Sequence, residues 1–369
     1  MTSIPARLGL VQRVLPEYRI PFFELLAESC EGGLSIFGGE ARPHEAIQTA
    51  QTPPKVNLTP ANNRHFLRGK FYLCWQGGLL RWLKTWNPEV LILEANPRYL
   101  SSPSAVRWMH RHHRPVIGWG LGAPTGSGST AGIRRSFQRS FLKQFDALIT
   151  YSQTGFEQYQ QLGFDPERIF IAPNAAAAKP ARAPAVREPV YPDGKAVLLF
   201  VGRLQARKRV DVLLQACASL PELMQPRLWI IGDGPEKPGL EKLAQTIYPQ
   251  AEFLGAKFGT DLGPFFDQAD LFVLPGTGGL AVQQAMAHGL PVIVGEADGT
   301  QADLVKPDNG VLVQPGSVEA LRIALQDLLL DLSKLRRMGA ESYRIVAEEI
   351  NLENMVLAFA RAVNFVLEK

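Results

Sequence analysis

The chain has 369 residues, 46% hydrophobic and 20% charged, which is enough for two packed domains and ordinary for a soluble globular protein. No apolar run approaches the roughly 18 residues a bilayer span requires. The opening residues, MTSIPARLGLVQRVLPEYR, carry arginines where a secretory signal needs a continuous apolar stretch, so a cytoplasmic location is expected. Cys30, Cys74 and Cys217 are scattered and odd in number, which argues against a disulfide framework or a zinc site.

The net charge of +4 is unevenly divided. Residues 1–175 carry 19 Lys and Arg against 12 Asp and Glu, the remainder 20 against 23. The basic half also holds five of the six tryptophans, Trp75, Trp82, Trp86, Trp108 and Trp119. Two readings stay open: a surface for an anionic or lipid partner, peripheral at the inner face of a membrane, or a solvated basic face over core tryptophans. A nucleic-acid partner is not expected.

In chain order, residues 7–15 read as a strand, and a Pro16-Glu17-Tyr18-Arg19 loop leads to a helix burying Phe22, Phe23, Leu25 and Leu26. Residues 34–37 form a second strand. Residues 41–63, polar and without period, read as a long irregular loop. A strand at 71–74, a helix at 79–86 and a buried strand at 90–93 follow. The helix at 105–113 ends in Arg111-His112-His113-Arg114, where neighbouring histidines do not face one point and no carboxylate sits at ligand spacing. A strand at 116–119 opens a Gly- and Ser-rich loop, 120–129, at the position where open α/β sheets place ligands. Gly120 and Gly122 there, with Arg13, Glu17 and Arg19 around the first loop, are the candidates for an acceptor side. A basic helix and strands at 147–151 and 169–171 precede an Ala-, Pro- and Lys-rich linker, 175–187.

The pattern then restarts. Apolar strands at 196–201, 228–231 and 271–274 each end in glycine turns: Gly202-Arg203, Gly232-Asp233-Gly234, and Gly276-Thr277-Gly278-Gly279 before an amphipathic segment, 281–288. Such turns let a phosphate approach unpaired N–H groups at the positive end of a helix dipole. Arg203 and Lys208 flank one strand-to-helix turn and can converge on a diphosphate. Two successive doubly wound α/β units result.

The second half resembles the retaining glycosyltransferases of the GT-B fold, specifically family 4. The matching segments are FVGRLQARKRVDVLLQA (200–216), IIGDGP (230–235), EFLG (252–255), QADLFVLP, QAMAHGLPVI (284–293) and NGVLVQPGSVEAL (309–321), in the family's order over about 140 residues. The first half matches in general pattern, with IAPNAA (171–176) resembling the segment before the interdomain linker. The resemblance implies two Rossmann-like domains facing a cleft. The acceptor domain would be 1–175 plus about 350–369, whose last helix crosses back, and the nucleotide-sugar domain 188–349. By position it makes Arg203 and Lys208 the catalytic cations holding the departing diphosphate. Gly202, Gly232, Asp233, Gly234, Gly255, Thr277, Gly278, Gly279, Leu280 and Gln284 become donor contacts. The expected activity is transfer of a hexose from a nucleotide sugar, with retention, to a lipid-linked or polysaccharide acceptor in cell-envelope glycan synthesis. No metal or other cofactor is expected, since nothing resembles an Asp-x-Asp site.

Two departures matter. The family's paired glutamates fall at Gly276 and Gln284, and residues 116–120 lack the usual histidine. Gln284 can still hydrogen-bond ribose without charge assistance. Asp298, in a neighbouring loop, is a candidate substitute for the first carboxylate. The departures keep a second reading open, a catalytically silent homologue that binds nucleotide sugar or supports a partner enzyme. An epimerase on a similar fold is disfavoured for want of acid–base residues in the matched segments.

Overall fold

The computed structural model describes residues 3–42, 45, 56–123, 131–187, 194–296 and 300–369. It divides into two compact units, Met1–Ala176 with Leu352–Lys369, and Ala177–Asn351.

The first unit holds strands β1 (Leu8–Val14), β2 (Leu34–Gly39), β3 (Asn57–Pro60), β4 (Asn62–Phe66), β5 (Leu73–Gly77), β6 (Val90–Glu94), β7 (Val116–Gly120), β8 (Ala147–Thr150) and β9 (Ile169–Ile171). Its helices are α1 (Ile20–Ser29), α2 (Leu79–Trp86), α3 (Ser102–Arg111), α4 (Ala131–Leu142) and α5 (Gln153–Gln161). Seven strands form a parallel sheet in the order β3-β2-β1-β6-β7-β8-β9, and β4 and β5 form a separate antiparallel pair. Strands such as Val90–Glu94 are apolar almost throughout because both faces of the sheet are covered by helices.

The second unit contains β10 (Val197–Val201), β11 (Arg227–Ile231), β12 (Ala251–Phe253), β13 (Leu271–Leu274), β14 (Val292–Gly295) and β15 (Gly310–Val313). They form a parallel sheet in the order β12-β11-β10-β13-β14-β15. Its helices are α6 (Val210–Ala218), α7 (Lys237–Ile247), α8 (Gly263–Gln268), α9 (Leu280–Ala287), α10 (Thr300–Leu304), α11 (Val318–Leu330) and α12 (Leu332–Glu348). The last helix, α13 (Leu352–Leu367), belongs to the first unit, where Phe359 packs edge-on against Trp119 and Phe22 with ring centroids 4.9 and 5.0 Å apart.

Several expectations need correction. Within the expected loop, 41–63, residues 57–60 form a strand and residues 62–63 begin another that runs to Phe66. Asn57–Pro60 is a polar edge strand, where one side of the backbone stays unpaired and a terminal proline is tolerated. The strand expected at 71–74 lies at Leu73–Gly77 and pairs with β4. The tryptophans are mostly structural: Trp82 donates to Ser35 Oγ and Trp86 to the Leu8 carbonyl, Trp119 is buried, and Trp75 alone of the five is exposed. Among the described residues one window within Leu332–Leu367 is apolar enough to resemble a membrane span. The stretch is two helices, α12 ending at Glu348 and α13 beginning at Leu352, and 56% of the window is buried in the fold.

Arg187, expected to lie in the linker, is a fastening of the second unit. Its guanidinium donates to the carbonyls of Ala269 (2.8 Å), Phe266 (2.9 Å), His288 (3.0 Å) and Gly289 (3.2 Å), at the C-terminal ends of α8 and α9, where a cation suits the helix dipoles. Burial and the neighbouring Arg336 charge lower its pKa to about 10, which leaves it charged at neutral pH. Arg187→Ala strands these carbonyls and is expected to lower unfolding free energy by about 2–4 kcal/mol in urea titrations, with the denaturant slope unchanged.

Candidate active site

In the second unit the chain winds from β10 to β11 in one direction and from β13 to β14 in the other, so the sheet's topological switch lies between β10 and β13. Ligands of open α/β sheets bind at the carboxyl ends of the strands flanking such a switch. The turns there are closely laced. Gly202 N–H donates to Ile231 O (3.0 Å), Leu204 N–H to Asp233 O (2.8 Å) and Gly232 N–H to Gly255 O (2.9 Å). A Cβ at residue 232 would stand 1.9 Å from the Gly202 carbonyl oxygen, and one at 234 would stand 2.2 Å from that of Leu204. Both glycines are therefore required by backbone approach before any ligand is considered.

Lys208 ends a short 3-10 turn, Ala206–Lys208, and its Nζ donates to the Thr277 carbonyl at 2.7 Å. Thr277 N–H donates to Arg207 O (3.0 Å), and Arg207 Nη1 to Thr277 Oγ1 (3.2 Å). The two turns at the switch are thus stitched together across 69 residues of sequence. Burial, reinforced by the Arg207 charge, lowers the Lys208 pKa to about 8. Arg203 is exposed, and no ion pair or side-chain hydrogen bond engages it among the described residues. Arg207 is not among the residues expected at the site, although its place in the Ala206-Arg207-Lys208 run is a visible signal. Arg209, by contrast, is committed to Asp211 at 3.0 Å.

Gly276, one of the departures, has a physical cause. A Cβ there would lie 2.2 Å from Arg207 O and 2.5 Å from Lys208 C, so the β13 turn rests directly on the Lys208 turn. At Gly278, with φ +126°, a Cβ would fall 2.2 Å from Lys208 Nζ. Gly279 caps α9 without a side-chain hydrogen bond, which leaves first-turn amides of Leu280 and its neighbours to a ligand or solvent. Gly202, Arg203, Lys208, Gly232, Asp233, Gly234, Gly255 and Thr277–Leu280 all follow the carboxyl ends of β10, β11, β12 or β13. Gln284 is exposed one turn into α9. Asp298 lies outside the described residues.

The first unit has a comparable edge at β1 and β6, where its own strand order reverses. Arg13 N–H donates to Glu94 Oε2 at 2.5 Å, while Arg13 Nη1 and Arg42 Nη2 grip Glu45 at 2.9 and 2.8 Å. Burial opposes the Glu45 charge, but hydrogen bonds from the two arginines prevail and hold its pKa at about 2. Arg19 is 7% exposed, 4.6 Å over the Trp119 ring, and donates to Tyr151 OH (2.9 Å) and Tyr18 OH (3.2 Å). Its Nη1 and the Trp119 Nε1 are buried donors with no acceptor among the described residues.

Glu94, at the end of a fully apolar central strand, went unassigned in the sequence, although a carboxylate in that position was the visible signal. Burial pushes its pKa up to about 7, against the opposing effects of the Arg13 N–H bond and of the Arg13 and Arg19 charges. Three other expectations are not drawn into this group. Glu17 is exposed on the turn before α1. Gly120 and Gly122 serve packing on α5: a Cβ on the first would meet Tyr159 OH at 3.1 Å, and on the second Gly155 Cα at 2.7 Å. His110 pairs with Asp146 and His112 with the Trp108 carbonyl, and among the described residues no three His, Cys, Asp or Glu side chains gather as a metal site.

Two parallel Rossmann-like sheets, each with polar groups gathered at the carboxyl edge, define the GT-B class of α/β proteins. The profile of glycosyl transferases group 1 matches residues 184–345, and that of the glycosyl transferase 4-like domain matches residues 36–175. The chain belongs to the family 4 glycosyltransferases of the GT-B fold. It is 24% identical over 283 residues to the lipopolysaccharide core biosynthesis glycosyltransferase LpsE of Rhizobium meliloti, covering 70% of this chain and 78% of that protein. It is 39% identical over 146 residues to a GDP-mannose-dependent alpha-mannosyltransferase of Mycobacterium tuberculosis, covering 38% of this chain and 36% of that one. Among solved structures, Anabaena HepE in complex with UDP superposes with a TM-score of 0.69 at 16% identity, over 97% of this chain and 99% of the other.

Two outcomes follow from this geometry. Restoring the family's residue by Gly276→Glu is expected to lower the melting temperature by several degrees and to weaken nucleotide binding in calorimetry, because the new Cβ collides with backbone. An acid whose folded pKa is raised contributes stability that is complete below its unfolded value, 4.5, and lost as pH rises through about 7. Glu94→Gln should therefore stabilise the protein by about 2–3 kcal/mol at pH 8 and by little at pH 4.5, read from urea melts at the two pH values.

Proposed function

We propose that this glycosyltransferase uses a nucleotide-sugar donor and transfers a hexose, with retention, to a lipid-linked or polysaccharide acceptor in cell-envelope glycan synthesis. The observation that carries the donor half is the Lys208–Thr277 contact, which sets a cation beside the first turn of α9 at the switch between β10 and β13. A diphosphate in that place receives Lys208, Arg203 and the amides of Gly279 and Leu280, and these groups stabilise the charge that grows as it leaves. The glycosidic bond from sugar C1 to the diphosphate oxygen breaks with its electron pair passing to the diphosphate. The acceptor oxygen bonds C1 on the same face and its proton passes to the departing diphosphate. Gly202, Gly232, Asp233, Gly234, Gly255, Thr277 and Gly278 border the nucleotide and sugar, and Gln284 takes the ribose hydroxyls.

The acceptor is assigned to the first unit, where Glu94 offers a carboxylate to a hydroxyl beside Arg13, and Arg19 sets the local potential. LpsE, named for lipopolysaccharide core biosynthesis, supports the envelope role. The site needs no metal in this reading, because cations and helix amides neutralise the leaving group. The crowding at Gly276 favours a second reading, a nucleotide-sugar-binding homologue without turnover, since no carboxylate can stand where the family has one.

Calorimetric titration of UDP, GDP, ADP and their hexose conjugates tests the proposal. One nucleotide should bind selectively, and Lys208→Ala should weaken it about 10- to 100-fold, as expected for loss of a charge-assisted hydrogen bond. The wild-type affinity should fall as pH rises through about 8, where Lys208 loses its proton, and this dependence should vanish in the variant. Binding without hexose transfer would favour the second reading, and no nucleotide binding by folded protein would overturn the first.

A further inference from the structure

The β4–β5 hairpin stands outside both main sheets, and its two faces differ. The inner face is fixed to the first unit: Asn63 Nδ2 donates to Arg13 O at 2.7 Å, Gln76 Nε2 to Gln12 O at 3.1 Å, and Cys74 N–H to Arg98 O at 3.0 Å. On the outer face Arg64 lies opposite Trp75 in register, with Trp75 42% exposed. The tip presents Phe66 (46% exposed), Leu67 (64%) and Phe71 (65%) beside the exposed Arg68. Leu67 holds φ +59°, an unfavourable backbone for a bulky residue, yet its side chain gains no burial in return. The following helix α2 also exposes Leu80, Arg81 and Lys84.

The sequence beneath this surface is one-signed. Between Glu45 and Glu89 there are six Lys and Arg and no Asp or Glu. A rigid element that exposes aromatic and aliphatic groups within a field of cations matches the interface of an anionic bilayer. Rings and leucines leave water at the headgroup level while arginine and lysine stems lie along them and reach lipid phosphates. Leu67 and Leu80 gain nothing from a nucleic acid, whose bases offer stacking to planar groups.

We propose that the β4–β5 hairpin, with the start of α2, docks the protein on an anionic lipid surface. Phe66, Leu67, Phe71 and Trp75 enter the headgroup region, and Arg64, Arg68, Arg81 and Lys84 meet the phosphates. Because Asn63 and Gln76 clamp the hairpin to the end of β1, docking brings lipid beside Arg13 and Glu94, the edge assigned above to the acceptor. That last link rests on the proposed function; the docking itself does not, and its test uses neither donor nor acceptor.

The experiment is vesicle co-sedimentation of the full chain at low and moderate salt, with pure phosphatidylcholine and with phosphatidylcholine containing about one third phosphatidylglycerol. Anionic vesicles should be bound at least tenfold more tightly than neutral ones, and binding should weaken with salt. Phe66→Ser with Phe71→Ser, and separately Arg64→Glu with Arg68→Glu, should each reduce it at least tenfold while nucleotide affinity stays unchanged. Trp75 emission should shift to the blue on anionic vesicles, a signal that Trp75→Phe removes. Equal binding to both vesicle types, or no binding at low salt, would overturn the proposal. So would loss through the arginine pair alone together with equally tight binding of a single-stranded oligonucleotide, which would mark a purely electrostatic surface.

Discussion

The β13 turn rests on the β10 turn so closely that residue 276 has no room for a side chain, and much of the candidate donor site follows from that approach. Backbone on backbone brings Lys208 Nζ to the Thr277 carbonyl, orients Arg207 toward the Thr277 hydroxyl and leaves the amides of the first turn of α9 uncapped. A site built this way presents cations and N–H dipoles fixed before a ligand arrives, the condition under which they stabilise developing negative charge most effectively. It also forgoes a carboxylate at 276, so in the proposed function any acidic group near the donor sugar must come from elsewhere.

The two units handle charge differently. In the second, half-buried Lys208 has a lowered pKa and is held by a carbonyl, and the diphosphate of the proposed function would supply its counter-charge. In the first, Arg19 is enclosed by Tyr18, Trp119 and Tyr151 without a carboxylate in ion-pair contact among the described residues, and Glu94 stays half-buried with a raised pKa. Groups held away from their preferred protonation state or without a full set of partners reduce stability, and such costs concentrate at functional sites. By contrast, Arg187 commits its donors to carbonyls at the ends of α8 and α9, which is the pattern of a structural fastening.

The hairpin joins these themes at the surface. Its buried face is tied to the end of β1 and its outer face carries cations and apolar side chains together, so in the proposed docking one small element would bring an anionic surface to the Arg13–Glu94 edge. Four of the five tryptophans of the basic half turned inward, and the exposed apolar character rests on Phe66, Leu67, Phe71 and Trp75 instead.

The sequence by itself determined most of the elements and which residues stand at the candidate donor edge. Apolar strand runs such as 271–274, the glycines closing them and the order of motifs over residues 200–321 are local signals, and each maps onto the observed sheet. Polar strands escaped it: Asn57–Pro60 and Asn62–Phe66 carry no hydrophobic period because one lies at a sheet edge and the other exposes its outer face. Only the tertiary structure decided why Gly276 is glycine, that Arg207 joins Lys208 at Thr277, that Arg187 fastens two helices, and that Glu94 rather than Glu17 is drawn into the edge beside Arg13. In each case the partners are distant in sequence, and which of several similar residues is buried or engaged depends on how the sheets and helices close around it.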